Sequence, residues 1–157
     1  MKYILLAIAL FFSACSVKEY ERTQTKIITI KSPKLKFSDV GYLRNSSSSI
    51  ELELFIAGKS IEKFSINRLI CTTKEGCMRK SAFNSEYLNS AYPDDILQDM
   101  LLAKAIYDGK NMQKESDGFV QNIKDSKVDI TYRVDKSGVY FRDRKNAIIF
   151  NVREANE

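Results

Sequence analysis

A two-residue hydrophobic period recurs along this chain and constrains its fold more than any other feature. Ile50, Leu52, Leu54 and Ile56 alternate with Glu51, Glu53 and Phe55, and Val128, Ile130, Tyr132 and Val134 alternate with Lys127, Asp129, Thr131, Arg133 and Asp135. Side chains on a strand point by turns to opposite faces, so each run buries one face and wets the other. Leu35 and Phe37 show the same spacing after Pro33, and Ile148, Phe150 and Val152 show it against Asn151 and Arg153. The connectors are short: the polar stretch Asn45–Ser49, a turn at Ala57–Ser60 leading to a returning strand over 61–70, and Asp135–Gly138 leading into Val139–Phe141. Strands joined in this way predict an antiparallel meander with one wet face. An edge strand is expected around Lys26–Ile30, and residues 110–118 read as a loop.

One segment breaks the alternation. Residues 92–109 carry Pro93 near the start, Asp94 and Asp95 in what would be the first turn, and Gly109 as a stop, which together predict a helix. Ile96, Met100, Ala103 and Tyr107 share a face, with Leu97, Leu101 and Ala105 beside it. So wide an apolar stripe requires cover. The expected fold class is therefore α+β and mainly antiparallel: a curved or half-closed, barrel-like sheet with one apolar helix packed on or in it. The helix serves either as core packing or as a lid over a cavity.

The start of the chain bears on location. Lys2, the apolar run over 3–12 and the small residues Ser13-Ala14 have the layout of a secretory leader. The run is too short for a span, which needs about 20 residues; an uncleaved anchor or a buried helix is the alternative. Cys15 directly after Phe12-Ser13-Ala14 resembles the lipobox of bacterial lipoproteins, which implies acylation of Cys15 and removal of residues 1–14. Ser16 in place of Asp is similar to the enterobacterial pattern for outer-membrane sorting. The expected organisation is a leader over 1–14, a lipidated N-terminus and tether or edge strand over 15–33, and one globular domain over 34–157. The polar stretch 16–26 suits a tether.

With Cys15 assigned to lipid, Cys71 and Cys77 remain as an even pair in a compartment where disulfides persist. Lys74-Glu75-Gly76 between them reads as a tight turn, so the pair is expected to staple a hairpin end or loop. A zinc site needs four ligands in close pairs, which this chain does not supply.

Histidine is absent, and with it the commonest general base and metal ligand. Gly58-Lys59-Ser60 lacks the glycine five residues upstream that a phosphate-binding loop requires, position 53 being Glu. Asp94-Asp95 is explained by the helix macrodipole. No catalytic residue and no metal or cofactor site is expected, and the chain reads as a non-enzyme. The net charge is +5, but basic and acidic residues alternate instead of forming a basic stripe, which argues against nucleic-acid binding and allows a mild attraction to anionic membranes.

The lipobox FSAC at 12–15, the strands KLKF and IELELFI, the helix YPDDILQDMLLAKAIYDG and the hairpin VDITYRVDKSGVYF together resemble the LolA/LolB superfamily of lipoprotein carriers. The resemblance implies a half-closed barrel with an apolar cavity under helices. It also implies an outer-membrane lipoprotein facing the periplasm that accepts acylated lipoproteins from a periplasmic carrier. Leu52, Leu54, Leu97, Leu101, Ile130 and Tyr132 would then line the cavity and hold an acyl chain, the only other group being the lipid on Cys15. The alternative is a structural or interaction lipoprotein, such as an assembly subunit of an envelope complex or a surface domain. A weaker possibility is an inhibitor of a wall-degrading enzyme that inserts the 71–77 loop. A hollow interior favours the carrier and a filled one the scaffold.

Overall fold

The computed structural model describes residues 22–155; the expected leader, Cys15 and the first part of the tether lie outside the described residues. Eleven strands form one open antiparallel sheet. The first six are β1 (Arg22–Lys31), β2 (Lys36–Asn45), β3 (Ile50–Ile56), β4 (Lys59–Ile66), β5 (Leu69–Thr72) and β6 (Gly76–Arg79). After a connection over 80–111 come β7 (Met112–Glu115), β8 (Gly118–Lys124), β9 (Asp129–Asp135), β10 (Gly138–Asp143) and β11 (Ile148–Glu154). Their order is β6-β5-β4-β3-β2-β1-β11-β10-β9-β8-β7. The first and last strands therefore meet in the middle, and the middle of the chain forms both edges.

Register explains which face is apolar. Leu43, Leu52 and Phe64 stand opposite one another across β2, β3 and β4, as do Ile50, Ile66 and Ile70 across β3, β4 and β5. In the other half of the sheet, Ile30 faces Phe150, which faces Phe141, while Val139 faces Val152 and Val134. All of these except half-buried Val134 belong to a single buried cluster. Eleven strands about 4.8 Å apart would spread over roughly 48 Å if flat. One cluster drawing on strands from β1 to β11 requires the sheet to curl around it. The α+β, half-closed arrangement read from the alternation is the observed one.

Two glycines make the curl and its turns possible. In the middle of β2, a Cβ on Gly41 would lie 2.4 Å from Ile28 Cδ1, so Ile28 occupies the space a side chain would need. Ala57 and Gly58 both have positive φ, 48° and 77°, which is the twist of a two-residue hairpin turn between β3 and β4.

The outer face of β2–β4 is a charge ladder. Arg44 Nη1 donates to Glu51 Oε1 at 2.6 Å and to Glu53 Oε2 at 2.8 Å, and Lys63 Nζ lies 2.8 Å from Glu51 Oε2. Glu51, on a face expected to be wet, is only 3% exposed because these cations lie over it. Farther along the same cross-strand row, Cys71 and Cys77 stand opposite each other on β5 and β6 and are joined by a disulfide.

Several local expectations need correcting. The strand near Lys26–Ile30 is interior, paired with β2 and β11, and not an edge. The return over 61–70 breaks at Asn67-Arg68 into β4 and β5, where Asn67 Oδ1 accepts from the Leu69 amide at 2.9 Å. Residues 110–118 contain an exposed edge strand, β7, and not only a loop. In place of the expected helix over 92–109 stand a short helix, α2 (Ile96–Leu101), and a 3-10 turn over Tyr107–Gly109, and a further short helix, α1 (Lys80–Tyr87), precedes them.

Helix α2 ends early for a definable reason. Ala103 has φ 53°, its amide donates to Met100 O, and the Lys104 amide donates to Asp99 O. This pair of bonds is a Schellman motif with alanine where glycine is usual. Ala103 is therefore exposed at the helix end instead of lying on an apolar stripe with Tyr107. The early stop lets the chain turn back and bury Ile106 completely.

Candidate functional site: the apolar face and the plug that closes it

The connection between β6 and β7 lies across the apolar face as a plug. Phe83 and Tyr87, one helical turn apart on α1, stack with centroids 4.5 Å apart, and both meet Phe64 of β4 edge-on at 5.7 and 6.1 Å. Ile96, Leu97, Met100 and Leu101 of α2 are buried, and Tyr92 sits edge-on to Phe141 of β10 at 5.7 Å. Asp95 occupies the N-cap position of α2 and pairs with Lys80, and Asp94 precedes it; both are exposed, and the two form no carboxylate site.

The residues expected to line a cavity are brought together, but they fill it. Leu52, Leu54, Leu97, Leu101, Ile130 and Tyr132 are all buried in the one core cluster. Leu52 and Leu97 border a void of about 20 Å³, closed on its other sides chiefly by Ile30, Phe64, Phe83 and Tyr87. That is room for about one water molecule, whereas pockets for small-molecule ligands run to roughly 300–1,000 Å³. In this state the plug's own side chains occupy the interior.

A small number of polar contacts fasten the plug to the sheet. Gln121 of β8, fully buried, accepts from the Ile106 amide at 2.8 Å and donates from Nε2 to Ile106 O at 2.9 Å and Lys110 O at 2.8 Å. The Tyr132 hydroxyl donates to Lys104 O at 2.8 Å. The Tyr92 hydroxyl donates to Asp143 Oδ2 at 2.7 Å, and Asp143 also accepts from the amides of Asp129, Lys145 and Asn146. Burial alone would raise the Asp143 carboxyl, but the Asn146 and Tyr92 side chains and the backbone amides outweigh it and hold its pKa below the usual value. Burial, then the Asp143 contact, pushes the Tyr92 hydroxyl well above the ordinary tyrosine range. Tyr107 is pushed up to about 12 by burial and by the charges of Asp125 and Asp143, and its hydroxyl is buried without a partner.

The alternation of residues 50–56 and 128–134 was sufficient to find the sheet side of this site. Helix α1 and Gln121 were not anticipated. The i, i+4 pair Phe83 and Tyr87 was the available signal for α1. Gln121 gave none, because a glutamine within Phe119–Ile123 reads as a wet position.

Among the described residues, no group of three His, Cys, Asp or Glu is placed to hold a metal ion, and no helix is long and apolar enough to cross a membrane. Comparison with known proteins finds no matching family model, no matching curated protein and no matching solved structure.

Proposed function

We propose that this chain is a non-catalytic carrier or acceptor of acyl chains, anchored by lipid on Cys15 in the outer membrane and facing the periplasm. Acylated lipoproteins delivered by a periplasmic carrier would be its cargo, as the LolA/LolB resemblance implies. One observation carries the reading: an open sheet of eleven strands has its apolar face covered by a single connection that contributes aliphatic side chains and is held by few polar contacts. A half-closed barrel with a helical cover is the architecture the resemblance implies. The filled interior corresponds to the unloaded state, in which Leu97, Met100, Leu101 and Ile106 stand in for an acyl chain. A chain gains about 0.8 kcal/mol per buried methylene, so twelve to sixteen carbons supply roughly 10–13 kcal/mol towards displacing the plug.

The same filled interior favours a second reading, an anchored structural or interaction lipoprotein whose plug never leaves. Titration of the mature chain with a fluorescent long-chain fatty acid separates the two. Saturable binding accompanied by faster amide exchange over 92–110 is expected of the carrier. No saturable binding, together with a stable partner recovered by crosslinking in cells, would establish the scaffold.

A further inference from the structure

At the end of the sheet where β2 passes into β3 there is an open cleft of about 960 Å³. The serine loop 46–49, the β4–β5 turn and the end of α2 bound it. Leu69, exposed, and half-buried Leu102 provide apolar surface above the buried Ile50 and Ile66, Arg68, Lys80 and Lys104 provide cations, and no carboxylate lines it. Lys80 is already engaged by Asp95 and by Gln98 Oε1, the latter at 2.7 Å. Arg68 and Lys104 make no ion pair among the described residues, so both charges are available to a ligand. Asn45 adds a buried Oδ1 on the same wall that has no hydrogen-bond partner. Free cations beside an unpartnered acceptor suit a ligand that combines negative charge with a hydroxyl donor. The location supports a membrane source. Arg22 pairs with Asn45 at this end, and Cys15 is seven positions earlier in the chain, a reach of at most about 25 Å.

We infer that this cleft binds the head of an anionic, hydroxyl-bearing phospholipid from the membrane to which the chain is tethered. The phosphate lies between Arg68 and Lys104, a glycerol hydroxyl donates to Asn45 Oδ1 once that side chain turns out of the wall, and the first acyl carbons rest on Leu69 and Leu102. This rests on the carrier reading for its anchor and gives that reading a lipid class.

The test uses the mature chain carrying Cys15→Ser, which cannot be acylated and keeps every described residue. Calorimetric titration with soluble dihexanoyl-phosphatidylglycerol is expected to show saturable binding at least tenfold tighter than that of dihexanoyl-phosphatidylcholine or inorganic phosphate. Added salt should weaken it. R68E/K104E should weaken it at least tenfold, whereas K59E/K127E, the same charge change at the opposite end of the sheet, should leave it unchanged. Melting temperatures check that the variants fold, and R68Q/K104Q replaces the reversal if it does not. Equal losses in both double variants would reduce the effect to net charge and overturn the site. Equal binding of phosphatidylcholine would overturn it too, and equally tight inorganic phosphate would overturn the lipid assignment. Long-chain fatty acid binding that persists while phosphatidylglycerol fails refutes the head site alone; loss of both refutes the carrier reading as well.

Discussion

Replacing Gln121 with leucine should loosen the plug without dissolving the sheet. The side chain is fully buried and satisfies both backbone groups of Ile106, itself without exposure, as well as the carbonyl of Lys110. Leucine matches the volume and keeps the apolar contacts while removing all three bonds. The Ile106 amide and carbonyl are then left in an apolar interior, where each orphaned group costs about 1–3 kcal/mol. The two together put the local loss near 3 kcal/mol, which raises the open population of residues 102–111 about a hundredfold. Hydrogen exchange read by mass spectrometry should show peptides from 92–111 exchanging faster by about that factor. Peptides from β1, β2, β10 and β11 should stay protected, because the seam between β1 and β11 does not depend on Gln121. If the plug is a lid, fatty-acid affinity should rise in the same variant. Uniformly faster exchange over the whole sheet would mean that the plug is an inseparable part of the core, and unchanged exchange would mean that Gln121 does not fasten it.

Three further outcomes are expected. Tyr92→Phe removes one donor from the buried Asp143 and should cost about 1–2 kcal/mol at neutral pH in denaturant titration. Because the folded Asp143 pKa is depressed, its stabilisation is present above the ordinary carboxylate value and is lost as pH falls through and below it; Tyr92→Phe should flatten that acid-side loss, and an unchanged slope would remove Asp143 as its source. Ala103→Gly relieves a left-handed alanine at the Schellman position and should raise stability by about 0.5–1 kcal/mol, seen as a higher melting temperature. Cys71→Ser with Cys77→Ser opens a very short loop and should cost roughly 2 kcal/mol, whereas dithiothreitol should lower the melting temperature of the parent and leave that of the double variant unchanged.

The sheet was legible wherever a strand buries one face only. Leu52 and Leu54 against Glu53, and Ile130 and Tyr132 against Thr131 and Arg133, declare their facing by composition. Strand β8 does not, since Val120 and Gln121 are both buried although they are neighbours in sequence. The extent of α2 was hidden because its end is set by long-range contacts. Residues 102–107 contain strong helix formers, yet Gln121 captures Ile106 and Tyr132 captures Lys104 from strands distant in sequence. Helix α1 is hidden in the sequence because Ser81, Asn84 and Ser85 are weak helix formers, and tertiary contacts stabilise it: Phe83 and Tyr87 pack on Phe64, Glu86 pairs with Lys34, and Asn84 Nδ2 donates to Pro93 O. The interior position of β1 could not be read locally either, because its partner β11 is the last strand of the fold. Pairing alternating faces suggested an apolar interior, but whether it is hollow depends on a connection whose path the sequence obscured.

The β1–β11 seam also sets the order in which the chain can fold. Strands β1 to β6 can zip up as successive hairpins as they are synthesised, but β1 keeps one open edge until β11, more than a hundred residues later, is available. Until then the nascent protein presents the apolar half of β1, Ile27, Ile28 and Ile30, with unpaired amides and carbonyls, the form most prone to wrong pairing. Loop closure of that length is slow relative to hairpin formation. Chains cut short before Ile148 should therefore accumulate as aggregates and not as smaller folded domains, since the final strand supplies the join on which both halves of the sheet depend.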